Sequence, residues 1–393
     1  MLRTALILGL LSIVGPFAID MYLPAMPAIA AEFAVDEQAV QLTLSAYFAA
    51  FGVAQLIYGP WADQSGRKLP VAVGLALFAV ASVGAARAGS AEALVAWRVA
   101  QGLGGAALMA VPRAIVRDQY RGPEAAQLMA MLMLVIAVSP MLAPLAGSIV
   151  LAFADWRWIF GAMAVVATLG LAVLLLLQPE TLPPEKRVKV NMRNLLAGCR
   201  ILFRDPVFMG LTFIGGFAMA SFFVFIASAP FVYTEAFGLT ETQFSYAFAV
   251  NAAGFFGASQ LAGWLGARWG MRRLVRRGVA GFAIATCTLL LAAVTMDLGL
   301  VPIIFGLVLA NACLGVVVPT VMVVALDDHG ENAGLASSLG GTLQMVTGGL
   351  VVALAGPFFD GTAVPMIGAI AACALAAGAL TLLTLGARPM ATA

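Results

Sequence analysis

Gly59-Pro60-Trp61-Ala62-Asp63-Gln64-Ser65-Gly66-Arg67-Lys68 returns 204 residues later as Gly263-Trp264-Leu265-Gly266-Ala267-Arg268-Trp269-Gly270-Met271-Arg272. Both outer glycines are in register and basic residues follow each copy, but only the first copy keeps an acid, Asp63. Long apolar runs flank both. Working outward from the repeat, these runs predict helices near 4–26, 41–59, 70–88, 92–114, 125–150 and 157–177, and a second set near 207–231, 241–264, 275–294, 300–324, 334–357 and 363–386. The longest polar stretch, 178–206, separates the sets and reads as a linker with room for one surface helix.

Composition agrees with this division. Of 393 residues, 62% are hydrophobic and 10% charged, where soluble domains carry roughly 25% charged residues. An ordinary water-soluble fold is excluded. Spanning helices of about 20 residues leave room for about twelve. The expected fold is an all-α polytopic membrane protein with twelve transmembrane helices in two pseudo-symmetric six-helix halves, 1–177 and 207–393, joined by a cytoplasmic linker, 178–206. Arg3, an apolar run over 5–19 and Ala28-Ile29-Ala30 imitate a secretory leader, but Asp20, Pro24 and the many later apolar runs favour an uncleaved first helix.

The basic residues set the orientation, because Lys and Arg concentrate in short cytoplasmic loops. With the N-terminus inside, all but Arg87, Arg98 and Arg157 of the 21 fall in cytoplasmic segments, from Arg3 through the 186–204 and 268–277 clusters to Arg388. Both termini are therefore expected in the cytoplasm. Cys199, Cys287, Cys313 and Cys373 lack metal-ligand spacing and read as packing residues, and His329 is the only histidine. No metal, cofactor or nucleic-acid partner is expected.

Two ionisable residues stand well inside apolar helices, Asp20 and Arg98, and such residues are functional by default. Each lies about five residues to the outer side of its helix centre, so both fall about 7.5 Å from the midplane at about 1.5 Å per residue. Burial disfavours a charged carboxylate and a neighbouring cation favours it, so movement of Arg98 or arrival of a cationic substrate would load or unload a proton on Asp20. Tyr22, Tyr47, Gln101, Asn251, Asn311 and Gln344, with Phe222 and Phe225 on one helix face, suggest a mostly apolar pocket with a few hydrogen-bonding groups. Interhelical packing is the plainer use of each.

Several motifs carry a resemblance. Gly59-x-x-Ala62-Asp63-x-x-Gly66-Arg67-Lys68 and Arg98-x-x-Gln101-Gly102-x-Gly104-Gly105-Ala106 resemble signatures of the major facilitator superfamily. Pro140-x-x-Ala143-Pro144-x-x-Gly147 is similar to the helix 5 signature of its proton antiporters, with Ala143 and Ser148 where glycines are usual. More narrowly, Asp20-Met21-Tyr22-Leu23-Pro24-x-Met26-Pro27, Arg113-x-x-x-Arg117-Asp118 and Asp155-Trp156-Arg157-Trp158-Ile159-Phe160 resemble the bicyclomycin and chloramphenicol resistance exporters, the Bcr/CflA group.

The resemblance implies a monomeric bacterial inner-membrane exporter that exchanges a small amphipathic drug for protons, with Asp20 and Arg98 sharing one cavity. It also implies a latch on the cytoplasmic side bridging the two halves and formed by Gly59, Asp63, Gly66, Arg67, Lys68, Arg113 and Asp118. In this reading Asp63 caps a helix N-terminus while basic residues pair with Asp118. The alternative cargo is a metabolite such as a sugar or amino acid. An enzyme would need a nucleophile, a metal cluster or a carboxylate pair at membrane depth, and the sequence offers none. No phosphate-binding loop points to ATP as the driver, and no selectivity filter points to a channel.

Overall fold

A computed structural model describes residues 2–187, 192–327, 329 and 333–386. Lys189 and Arg388, counted above among the cytoplasmic basic residues, lie outside the described residues. The described chain is almost wholly helical. Helices α1 (Leu2–Asp20), α2 (Met26–Phe33), α3 (Glu37–Ser65), α4 (Lys68–Ala86), α5 (Ala91–Gln119), α6 (Gly122–Phe153) and α7 (Arg157–Leu177) build the first half. After α8 (Met192–Arg204) come α9 (Pro206–Phe231), α10 (Glu241–Trp269), α11 (Met271–Thr295), α12 (Leu300–Leu326), α13 (Ala333–Ala355) and α14 (Ala363–Leu385). Eleven spans among the described residues are long and apolar enough to cross a membrane. The twelfth helix, α10, has the length, but Gln243, Ser245, Asn251, Ser259 and Gln260 dilute its apolar residues.

The helix ends follow local chemistry. Asp36 caps α3 by accepting from Ala39 N at 2.9 Å, Ser90 caps α5, and Asp205 caps α9. Helices α3, α5 and α10 run 29 residues each, about 43 Å at 1.5 Å per residue, against an apolar core of about 30 Å. They therefore run beyond the spans expected from hydropathy, because backbone bonding continues where apolar character stops.

The first predicted helix, 4–26, is broken. Helix α1 ends at Asp20, a single 3-10 turn covers Leu23–Ala25, and α2 begins at Met26. Pro24 has no N–H to donate, and its ring would press on the carbonyl of Asp20 four residues back, so the α-helix stops there.

The chain divides into two compact units, Met1–Met192 with Thr240–Tyr246, and Arg193–Leu239 with Ala247–Ala393. In the first, α5 packs on α3 and α4, α7 packs on α4, and α1 packs on α6. In the second, α12 packs on α11, α14 packs on α11, and α9 packs on α13. These are corresponding helices of the two six-helix halves, so the repeat seen at two turns extends through the packing. Leu176, Phe305 and Leu382 are well exposed, as lipid-facing side chains must be and as a water-soluble surface would avoid.

Candidate functional site

The break in helix 1 creates the chemistry around Arg98. In an unbroken helix the Tyr22 N–H would reach the Ala18 carbonyl. Here that carbonyl accepts from Arg98 Nη1 at 2.9 Å, so a guanidinium from α5 serves the negative end of α1. The same Nη1 donates to Gln101 Oε1 at 2.8 Å, and Gln101 Nε2 donates to Ser82 Oγ at 2.8 Å, which fixes the guanidinium from the α4 side. Tyr47 and Tyr22 flank it, with ring centroids 4.5 and 4.9 Å from Arg98 Cζ, a cation–π arrangement. The Tyr22 hydroxyl is in turn held by Thr43 at 2.9 Å.

Two further facts bear on the chemistry of this cluster. Arg98 is 0% exposed, yet its Nε and Nη2 have no hydrogen-bond partner. Those two atoms form the edge that takes a carboxylate in bidentate fashion. Asp20 is 4% exposed, two residues beyond Ala18, and makes no ion pair among the described residues. An open cationic edge and an unpaired carboxylate are thus buried in the same half, the carboxylate two residues beyond the carbonyl that Arg98 holds. Gln101, expected to face substrate, is spent on Arg98 and Ser82. Neither Ser82 nor Thr43 stood out in the sequence, where a lone hydroxyl in an apolar helix carries no signal.

The helix 5 motif sits against the same break. A Cβ at Gly147 would run into the Met21 carbonyl oxygen and lie 3.1 Å from its carbon. Glycine is therefore what lets α6 close on the residue after Asp20. Pro140 and Pro144 lie within α6 on the approach to this contact.

A second cluster gathers at the α3–α4 turn. Arg67 is buried and pairs with both Asp63 and Asp118, the latter through Nε at 2.8 Å. Burial alone would depress the Arg67 pKa, but the two carboxylates more than offset it and hold it above its usual value. Asp63 thus bonds a side chain instead of the helix N-terminus expected for it. That N-terminus belongs to Glu180, just past α7, which accepts from Arg67 N at 2.8 Å, Lys68 N at 3.1 Å, Thr181 N at 2.9 Å and Leu182 N at 3.0 Å. Partial burial pushes the Glu180 pKa up, and the four N–H donors outweigh it, leaving it below the ordinary value.

Gly66 makes room for this acid. Its φ is +97°, and a Cβ there would stand 2.5 Å from Glu180 Oε2. The turn recurs at Gly270, with φ +82°, between α10 and α11. Gly59 lies within α3, short of the cluster, and Arg113 makes no ion pair among the described residues. Sequence reading missed Glu180; the available signal was an acid directly after Pro179 at the end of an apolar span.

The remaining candidates fall in the second half. Phe222 stacks on Phe255 with centroids 4.9 Å apart, and Phe225 stacks on Phe248 at 5.5 Å. Asn311 Nδ2 donates to Asn251 Oδ1 at 3.3 Å, joining α12 to α10. Gln344 lies against Gly215 of α9. Back in the first half, the Trp156-Arg157 motif has a bracing use: both donate to Glu32 of α2, at 2.6 and 2.9 Å.

This arrangement can be set beside known proteins. The sequence profile of the Major Facilitator Superfamily matches residues 8–353. An uncharacterised MFS-type transporter, YdgK, of Bacillus subtilis (strain 168) is 34% identical over 368 residues, covering 93% of this chain and 91% of its own. A bicyclomycin resistance protein homolog of Haemophilus influenzae is 28% identical over 368 residues, 94% of this chain and 92% of its own. The crystal structure of a D-xylose–proton symporter matches with a TM-score of 0.80 at 14% identity, over 99% of this chain and 98% of that one, a likeness of fold. With a profile spanning most of the chain and a relative above 30% identity, the chain belongs to the Major Facilitator Superfamily.

Proposed function

We propose that this transporter is a proton-coupled exporter of small amphipathic compounds, antibiotics of the bicyclomycin or chloramphenicol type among them. The observation that carries the reading is a buried, unpaired Asp20 two residues beyond Ala18, whose carbonyl holds Arg98, together with the open Nε–Nη2 edge of that arginine. Ionised, Asp20 has a bidentate partner within its own half; protonated, it needs none. Exchange between these states moves one proton and changes what Arg98 holds, which is the differential interaction that coupling requires. The apolar, aromatic surroundings of Phe222 and Phe225, with the Asn251–Asn311 pair, suit a neutral or weakly charged cargo. The relative named for bicyclomycin resistance supports the same cargo class.

In this reading the functional halves are 1–177 and 207–393, joined by a cytoplasmic linker over 178–206. The protein works as a monomer in a bacterial inner membrane with both termini in the cytoplasm. The Asp63–Arg67–Asp118 cluster, with Gly66 and Lys68, is the latch that biases one conformation. The deciding experiment is transport in proteoliposomes under an imposed pH gradient with a panel of compounds. Uptake of none of them above protein-free liposomes, or uptake indifferent to the gradient, refutes the proposal.

A further inference from the structure

We propose that the amino-terminal face of the first half holds a binding site for an acidic phospholipid headgroup. A cavity of about 490 Å³ opens there at the ends of four membrane-spanning helices: the start of α1, the start of α4, the end of α5 and the last turn of α7. Its lining holds two cations, Arg3 and Lys68, and no acid. Both reach over the end of α7, Arg3 Nη2 to the Leu177 carbonyl at 2.9 Å and Lys68 Nζ to the Leu175 carbonyl at 2.8 Å. These contacts fix the cations and consume one donor from each. Neither cation pairs with a carboxylate among the described residues. The two acids next in sequence to the lining are spent elsewhere: Glu180 accepts from four backbone N–H groups, and Asp118 accepts from Arg67 and Thr181.

The remaining lining decides what the occupant is. Thr4, Gln119 and Gln178 offer neutral polar groups, while Leu176, 81% exposed, leads from the cavity onto the lipid-facing surface. The site thus has a cationic head at the level where a spanning helix ends and an apolar flank below it. A phosphate with attached acyl chains matches both parts, and a free phosphate would leave the flank unused. The lining also separates lipid classes. A zwitterionic headgroup brings an ammonium that finds no carboxylate here, so phosphatidylglycerol is favoured over phosphatidylethanolamine.

The test is native mass spectrometry of the delipidated protein in detergent, titrated with phosphatidylglycerol and phosphatidylethanolamine in turn. Wild type is expected to retain the acidic lipid preferentially, and Arg3→Gln to lower that preference roughly fivefold, as one juxtamembrane cation implies. Lys68→Gln should act alike and Arg3→Lys should restore retention; Arg272→Gln, in the other half, controls for bulk charge. Arg3→Gln alone suffices if the Lys68 variant fails to fold. Equal retention of the two lipids by wild type overturns the proposal, as does a preference unchanged in Arg3→Gln. Thermal stabilisation by inorganic phosphate equal to that by the lipid would make this a free-phosphate site and overturn the assignment to lipid.

Discussion

Glu180→Gln is the sharpest perturbation that the structure offers outside the membrane. Glutamine keeps one acceptor oxygen, enough for the three bonds that Oε1 takes from Arg67 N, Thr181 N and Leu182 N. The second oxygen becomes an amide that donates, facing the Lys68 N–H which Oε2 now accepts at 3.1 Å. The change thus removes one bond at the N-terminus of α4 and the charge that favours the other three. Loss of an N-terminal cap costs about 1 kcal/mol, and because Glu180 is solvent-exposed the lower part of that range applies. The Arg67 and Lys68 amides should then exchange with deuterium roughly threefold to fivefold faster, read by mass spectrometry on a peptide covering 64–70.

The pH dependence has a definite sign. A carboxylate held below its unfolded value of 4.5 contributes stability that is complete above that value and lost as pH falls through the depressed one. Wild-type protection, corrected for intrinsic exchange, should therefore be flat from pH 7 down to about 4.5 and fall below it, while the variant stays flat throughout. Unchanged protection in the variant at pH 7 would show that Glu180 does not hold this turn.

Other outcomes follow from the buried groups. Asp20→Asn should be expressed normally but lose pH-gradient-driven export, since an amide cannot cycle a proton; accumulation against a gradient with only ΔpH imposed would remove Asp20 from the coupling step. Arg98→Lys keeps the charge but loses the planar edge, and one charge-assisted bond of about 1.5–3 kcal/mol predicts at least roughly tenfold slower coupled export; wild-type rates would reduce Arg98 to a positive field. Gly147→Ala should lower the melting temperature, because overpacking against Met21 costs about 1–3 kcal/mol, more than the helix propensity gained by alanine, at most about 1 kcal/mol. A rise in melting temperature would mean that α6 has no close approach to keep.

The apolar runs and the duplicated turn were enough to read twelve helices in two halves, because a bilayer forces each span to be long and uninterrupted. Helix ends were less legible: α3 and α5 continue into polar sequence, where hydropathy has nothing to report. The break after Asp20 was foreshadowed by Pro24 and Pro27, yet the apolar pattern runs straight through them. Residue counting put Asp20 and Arg98 at one level but carries no azimuth, so it could not tell that Arg98 bonds the Ala18 carbonyl and leaves its carboxylate-binding edge open. Glu180 was out of reach because its bonds to Arg67 and Lys68 span more than 100 residues.

The two turns at Gly66 and Gly270 separate two kinds of requirement. Left-handed backbone persists at both, with φ of +97° and +82°, whereas the carboxylate persists at one, Asp63 against Ala267. Handedness is what this chain uses to reverse between two helices, and both turns have it. The acid is surplus to that geometric need. Each half therefore serves as an internal control for the other: what both turns share answers to architecture, and what only one holds is free to give the transporter a direction.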